Sequence, residues 1–366
     1  LNFYVNIIWG LTALSFIITL LVGHGSIPVA VYGMRITLLH FPLIFVFGKI
    51  MDKEDVLEIG KVMLWLTIGM TILVTIQFFS PQSAFVNRGV GGDSGGSGFG
   101  EVSGFYRVPG TFSFTNGLSL FYGLSAAYIF YYWLGEKAKQ VPKLLLIAAT
   151  IALVIAIPLT ISRTVLFQTV LTLLFLIAVT GKNSGAIKKF LMIAIVGVLV
   201  VFVLQSFDFF QTATTVFSER LTTANKVEGG LEGTIIDRFL GGMYSAVIDP
   251  QNSYWGLGLG LGSKVASRLL TGSAAAYLLP EGEWGRVIGE MGFILGLLFI
   301  LIRISLAFDL FKRSWSSITS GNSLPWLLCS FGILIILQGQ WSQPTALGFS
   351  VISGGLIMAS FNSKTA

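Results

Sequence analysis

Residues 281–299 read EGEWGRVIGEMGFILGLLF. Acids and an arginine open the stretch, and an apolar run closes it. Taken as helix, Glu283, Arg286 and Glu290 stand at i, i+3 and i+7, on one face. The run beyond them is apolar enough to enter a bilayer. A charged face therefore meets an apolar span just after a long polar loop. Loop and helix mouth together form the candidate active site.

The rest of the chain agrees with a membrane setting. Its 366 residues are 54% hydrophobic and only 11% charged, less than half the charge of an ordinary soluble domain. Several apolar runs reach the roughly 20 residues needed to cross a bilayer. The composition predicts an all-α polytopic integral membrane protein, a single transmembrane domain over 1–366. Ten spans are expected, near 3–22, 27–48, 56–79, 112–134, 143–161, 164–180, 188–207, 284–306, 325–337 and 345–361. Alternate loops carry Lys49 and Lys53, then Lys137, Lys139 and Lys143, then Lys182, Lys188 and Lys189, then Lys312 and Arg313. Short loops on the other side carry only Arg163. Lysine-rich loops face the cytoplasm, so two long connections, 80–111 and 208–283, face outward.

The net charge of +6 follows from those lysines and calls for no nucleic acid. One cysteine, Cys329, excludes a disulfide framework. Two histidines, His24 and His40, are too few for a histidine metal centre, and no metal is predicted. The chain opens on Leu1, directly in an apolar run, so upstream residues or spans are expected beyond it.

The first long loop holds VGGDSGGSGFGEVSG, 90–104, a glycine-serine tract read as a linker or lid. FYRVPGTFSFTNG, 105–117, follows, with a Pro109-Gly110 turn and small polar groups at the mouth of the fourth span. ISRTV places Ser162-Arg163 at the outer tip of a two-span hairpin. In the second loop, 235–247 is consistent with an amphipathic surface helix carrying Arg238. GLGLGLG, 256–262, lacks the GxGxxG spacing of a dinucleotide loop and reads as a turn allowing close backbone approach.

Arginines gather on the outer side: Arg107, Arg163, Arg220, Arg238 and Arg286, with Arg35 in the outer third of its span. An arginine in hydrocarbon costs about 2.5–3.5 kcal/mol on insertion scales, so it is usually paired or functional. The planar guanidinium fork suits phosphate; snorkelling to the surface is the alternative for any one of them. Glu281 and Glu283 could cap the helix or take a proton from a sugar hydroxyl. Arg286 and Glu290 read as a structural ion pair.

In series, RVPGTFSFTNG (107–117), LTISRTVLFQTVL (159–171), RFLGGMYSAV (238–247), WGLGLGLGS (255–263) and VIGEMGFILGLLF (287–299) resemble the O-antigen polymerase and O-antigen ligase superfamily. The resemblance covers roughly residues 105–300. It implies a GT-C-like helical enzyme of the bacterial inner membrane, with its active site facing the periplasm. It implies transfer of a glycan from a polyprenyl pyrophosphate to an acceptor sugar hydroxyl, without metal or other cofactor. Arg163 and Arg238 would hold the pyrophosphate, with Arg107, Arg220 and Arg286 as further candidates. Partners implied are membrane lipid, the lipid-linked oligosaccharide, the acceptor glycan, and a chain-length regulator or other polysaccharide-assembly proteins. Ligases of the family carry a histidine about nine residues before the glutamate at Glu290. Here that position is Glu281. This favours a polymerase or exopolysaccharide relative, with Glu283 or Glu281 in place of the histidine as base. A ligase, a lipid-linked oligosaccharide flippase and a non-catalytic scaffold stand as the other readings.

Overall fold

The computed structural model describes residues 3–89, 96–135, 141–181, 184–228, 242–248, 253–273, 278–279 and 282–362. The described chain is mostly helical. Six helices are long and apolar enough to cross a membrane: Phe3–Leu21, Ile27–Ile50, Lys53–Phe79, Arg163–Thr180, Ile187–Leu204 and Glu283–Thr319. Three shorter apolar helices, Lys143–Leu159, Leu324–Gln338 and Pro344–Ala359, accompany them. The chain divides into two compact units, one of 1–51, 228–313 and 332–359, the other of 52–227, 314–331 and 360–366.

In the first unit, α1 (Phe3–Leu21) is followed by α2 (Ile27–Arg35), a π-helical turn (Ile36–His40) and α3 (Phe41–Ile50). Pro42 in the first turn of α3 accounts for that turn. It has no N–H for the carbonyl four residues back and crowds it, so the ladder widens. Phe41 N–H donates to the Ile36 carbonyl, five residues back, and a His40 Nδ1 contact to the Arg35 carbonyl, 2.9 Å, fills in beside it.

The second unit begins with α4 (Lys53–Phe79), opened by an Asp52–Asp55 capping box. A small antiparallel hairpin follows, β1 (Phe99–Val102) and β2 (Phe105–Arg107), so part of the first loop is strand where an all-α chain was expected. Then come α5 (Thr115–Leu134), α6 (Lys143–Leu159), α7 (Arg163–Thr180), α8 (Ser184–Leu204) and α9 (Asp208–Glu228). The second long loop thus starts as a helix. Nearly every residue of α5 is buried, and its polar groups are answered from neighbouring helices. Tyr122 Oη meets Thr71 Oγ1 at 2.9 Å, Tyr132 Oη donates to the Leu57 carbonyl at 2.5 Å, and Trp133 Nε1 donates to Thr150 at 2.9 Å. A helix wrapped by protein can carry hydroxyls that a lipid-facing helix cannot.

Three further helices of the chain are α10 (Gly242–Ile248), α11 (Lys264–Thr271) and α12 (Glu283–Thr319), and α13 (Leu324–Gln338) and α14 (Pro344–Ala359) close it. The amphipathic helix expected over 235–247 falls mostly outside the described residues; its last part coincides with α10.

Candidate functional site

The expected eighth span, one straight helix over 284–306, is the main point at which the fold departs from the sequence reading. Within α12, Gly292 has φ +82° and ψ 166°, far from helical. In a straight helix Glu283 and Arg303 would lie about 30 Å apart. Instead Arg303 Nη1 donates to Glu283 Oε1 at 2.5 Å. A Cβ on Gly296 would come within 2.8 Å of Ile288 Cα. The chain therefore doubles back at Gly292: a short arm, 283–291, lies against a long arm that begins at 293.

The reversal frees backbone groups, and the glycine-rich loop answers them. Leu257 N–H donates to the Gly289 carbonyl at 2.8 Å and Gly258 N–H to the Glu290 carbonyl at 3.1 Å. Phe293 N–H donates to the Ser253 carbonyl at 3.0 Å. Non-helical backbone at membrane depth survives only where protein satisfies it in this way. The fit leaves no room for a side chain at Gly256, where a Cβ would sit 2.4 Å from Gly292 N, or at Gly33, where it would sit 2.5 Å from Gly260 N. From the other side, Thr19 Oγ1 accepts from Leu259 N–H at 3.0 Å. His24 Nδ1 accepts from Ser26 N–H, so Nε2 is left to donate to the Leu259 carbonyl at 3.0 Å. GLGLGLG is a close-approach turn, as its spacing predicts.

Against the two arms sits a buried cluster of two acids and two arginines. Glu283 Oε1 accepts from Arg303 Nη1 and from Arg286 Nη2, the latter at 2.9 Å. Its Oε2 accepts from Arg286 Nε at 3.0 Å and from Trp341 N–H at 3.1 Å. Glu290 takes Arg286 Nη1 at 2.8 Å on one oxygen and Gly262 N–H at 2.8 Å on the other. Arg303 also donates to the carbonyls of Ile336 and Gly339, at 2.9 and 3.1 Å, and lies 3.9 Å over the Trp341 ring. All four charged residues are at most 5% exposed. Formal charge sums to zero, and every carboxylate oxygen has a donor, which is what burial of such groups demands. The cluster ties five segments together: both arms of α12, the glycine loop, the end of α13, and the 339–343 link between α13 and α14.

This arrangement decides what the predicted residues can do. Arg286 and Glu290 form the structural pair that their spacing implies. Glu283 has donors on all of the roughly four lone-pair positions of a carboxylate, so it holds the helix mouth in place. Arg303 escaped the sequence reading; the signal was a lone arginine inside an apolar run, which needs a partner. Glu281 and Arg238 lie outside the described residues.

The remaining predicted arginines belong to the second unit. Arg107 is half-buried on β2, Arg163 half-buried at the first residue of α7, and Arg220 half-buried on α9. The Ser103 hydroxyl bonds to the Glu219 carboxylate, joining the hairpin that carries Arg107 to the helix that carries Arg220. The Pro109-Gly110 turn is latched to α4 by Gln77. That amide donates to the Gly110 carbonyl and accepts from Gly110 N–H, both at 3.0 Å. Asn87, fully buried, donates to the carbonyl of Gln77. The described parts of the first loop are therefore pinned to the end of α4. Of the tract 90–104 read as a linker or lid, 90–95 lies outside the described residues. The rest is held by the β1–β2 pairing and by Gly98 N–H donating to Gln82 Oε1 at 2.9 Å, a fixed segment where a linker or lid was expected.

Before Arg163 the backbone is strained. Ile161 is 1% exposed and has φ +47°, unusual for a β-branched residue. Ser162 occupies the N-cap position of α7, yet its hydroxyl does not cap the helix. It bonds instead to Ser119 Oγ at 2.9 Å, tying the SRT motif to the first turns of α5. A cation thus stands at a helix N-terminus whose serine is committed elsewhere. Among the described residues no group of three or more metal-ligating side chains is present.

Comparison with protein-family models, with characterised proteins and with solved structures finds no match to this chain.

Proposed function

We propose that the protein transfers a glycan from a polyprenyl pyrophosphate to an acceptor sugar hydroxyl at the outer face of the bacterial inner membrane, as a polymerase of the O-antigen or exopolysaccharide type. The observation that carries this reading is Arg163. Its guanidinium and the amides at the start of α7 both favour an anion, and a strained turn holds them there. Pyrophosphate leaves readily when such groups neutralise its growing charge. The acceptor hydroxyl attacks the anomeric carbon from the opposite face, inverts it, and gives up its proton as the C–O bond to pyrophosphate breaks. By the family resemblance, Glu281 is the base in this reading. Arg107, Arg220 and Arg238 are further donors to the diphosphate.

The test is chain length in a null strain complemented with variants. Arg163→Ala and Arg238→Ala should each abolish long-chain glycan while the protein still reaches the membrane at normal level. Unchanged glycan length in both variants sinks the proposal. A second reading, a flippase for the same carrier, draws on the broken helix at Gly292 and the charges buried beside it, features that transporters use. Proteoliposomes separate the two: lengthening of the lipid-linked glycan supports the enzyme, and translocation without lengthening supports the transporter.

A further inference from the structure

We propose that Arg35, in the first unit, is the centre of a second anion site, one that takes the phosphate of an anionic lipid headgroup or a free phosphate. The proposal is independent of the glycan reading and uses none of its residues.

Arg35 ends α2 inside the apolar span Ile27–Ile50, about 12 Å along the helix from Ile27. A charge in such a span calls for a counter-charge. Among the described residues no carboxylate is within ion-pair distance of it. Its Nη2 donates to Tyr32 Oη at 2.7 Å, and its guanidinium lies 4.0 Å from the centre of the same ring. Its Nε is buried and has no hydrogen-bond partner. One neutral hydroxyl thus meets one of five guanidinium donors. Positive charge and donors are left over, and the side chain is folded back on Tyr32.

The site is also held in place. Tyr32 fixes the guanidinium by stacking and by hydrogen bond. The Arg35 carbonyl takes His40 Nδ1 at the start of the π-helical turn, and π-turns often mark functional positions. Beside it, Gly33 is pressed against Gly260, so α2 is braced against the glycine loop. A phosphate oxygen pair matches the planar fork, which a lone chloride or carbonyl does not. Tyr32 Oη accepts from Arg35, so its own proton is free to donate to the same anion.

The experiment is native mass spectrometry of the detergent-purified protein with phosphatidylglycerol, phosphatidylcholine or inorganic phosphate. Wild type should retain phosphatidylglycerol over phosphatidylcholine, and Arg35→Gln should lose that retention by about tenfold or more. Retention of inorganic phosphate that Arg35→Gln also loses would assign the site to a free anion. If Arg35→Gln does not fold, Arg35→Lys keeps the charge but loses the fork and the stack, and should still weaken retention. Retention unchanged in the variant that folds, or no retention of either phosphate by wild type, overturns the proposal.

Discussion

Arg303 and Glu283 are twenty residues apart in sequence and 2.5 Å apart in space. Their contact requires the reversal at Gly292, and the reversal leaves each of them buried. Losing one partner strands the other as an uncompensated charge, which costs about 3–5 kcal/mol. Arg303→Met alone and Glu283→Gln alone should therefore each lower the detergent melting temperature sharply. The double variant should lose clearly less than the sum. Additive losses would mean that the pair is not coupled.

Gly292 and Gly256 should accept no side chain. A Cβ at Gly292 would meet the Tyr254 carbonyl at 2.3 Å, on a backbone with φ +82°. Both Gly292→Ala and Gly256→Ala are expected to abolish recovery of folded protein by size-exclusion chromatography. Gly10 in α1 has nothing within 4 Å of its Cβ position. Gly10→Ala should be neutral or stabilising by about 0.5–1 kcal/mol. Equal behaviour of the three would overturn this assignment of the reversal.

Gln77 closes the base of the first long loop. Gln77→Leu leaves Gly110 N–H and the carbonyls of Gly110 and Val86 without their partner, each at about 1–3 kcal/mol if they stay buried. Limited proteolysis should then cut within 80–111 at least several times faster than in wild type. The rest of the chain should stay resistant. An unchanged cleavage rate would show that the latch is dispensable.

His24 fastens the glycine loop to the end of α1. His24→Phe removes the donor to the Leu259 carbonyl while keeping a ring, at a cost of about 1 kcal/mol. Hydrogen exchange over 256–262 should speed up, with exchange in α4–α9 unaltered. No change in that loop would mean that Thr19 and the short arm of α12 suffice to hold it.

Much of the fold was legible because it is local. Low charge and long apolar runs announce membrane helices, and i, i+4 spacing announced the Arg286–Glu290 pair. The glycine loop could be recognised as a site of close approach by what it lacked. What stayed hidden depends on tertiary contact. Glycine is common within membrane helices, so Gly292 looked like any other residue of an apolar run, and nothing nearby marks it as a reversal. Arg303 gains its meaning only once the short arm brings Glu283 back to it. In the second unit the residues of the SRT motif could be named, but not the diversion of the Ser162 hydroxyl to Ser119, since a serine before a helix ordinarily predicts a cap.

The patch at Gly292 also sets an order of assembly. Leu257 and Gly258 can complete the broken helix only after residues 289–293 have been synthesised, whereas the loop's other anchors, Thr19 and His24, precede it in the chain. During biogenesis the 253–263 segment must wait for a stretch made later. Closure of the first unit at Gly292 therefore follows synthesis of the short arm of α12.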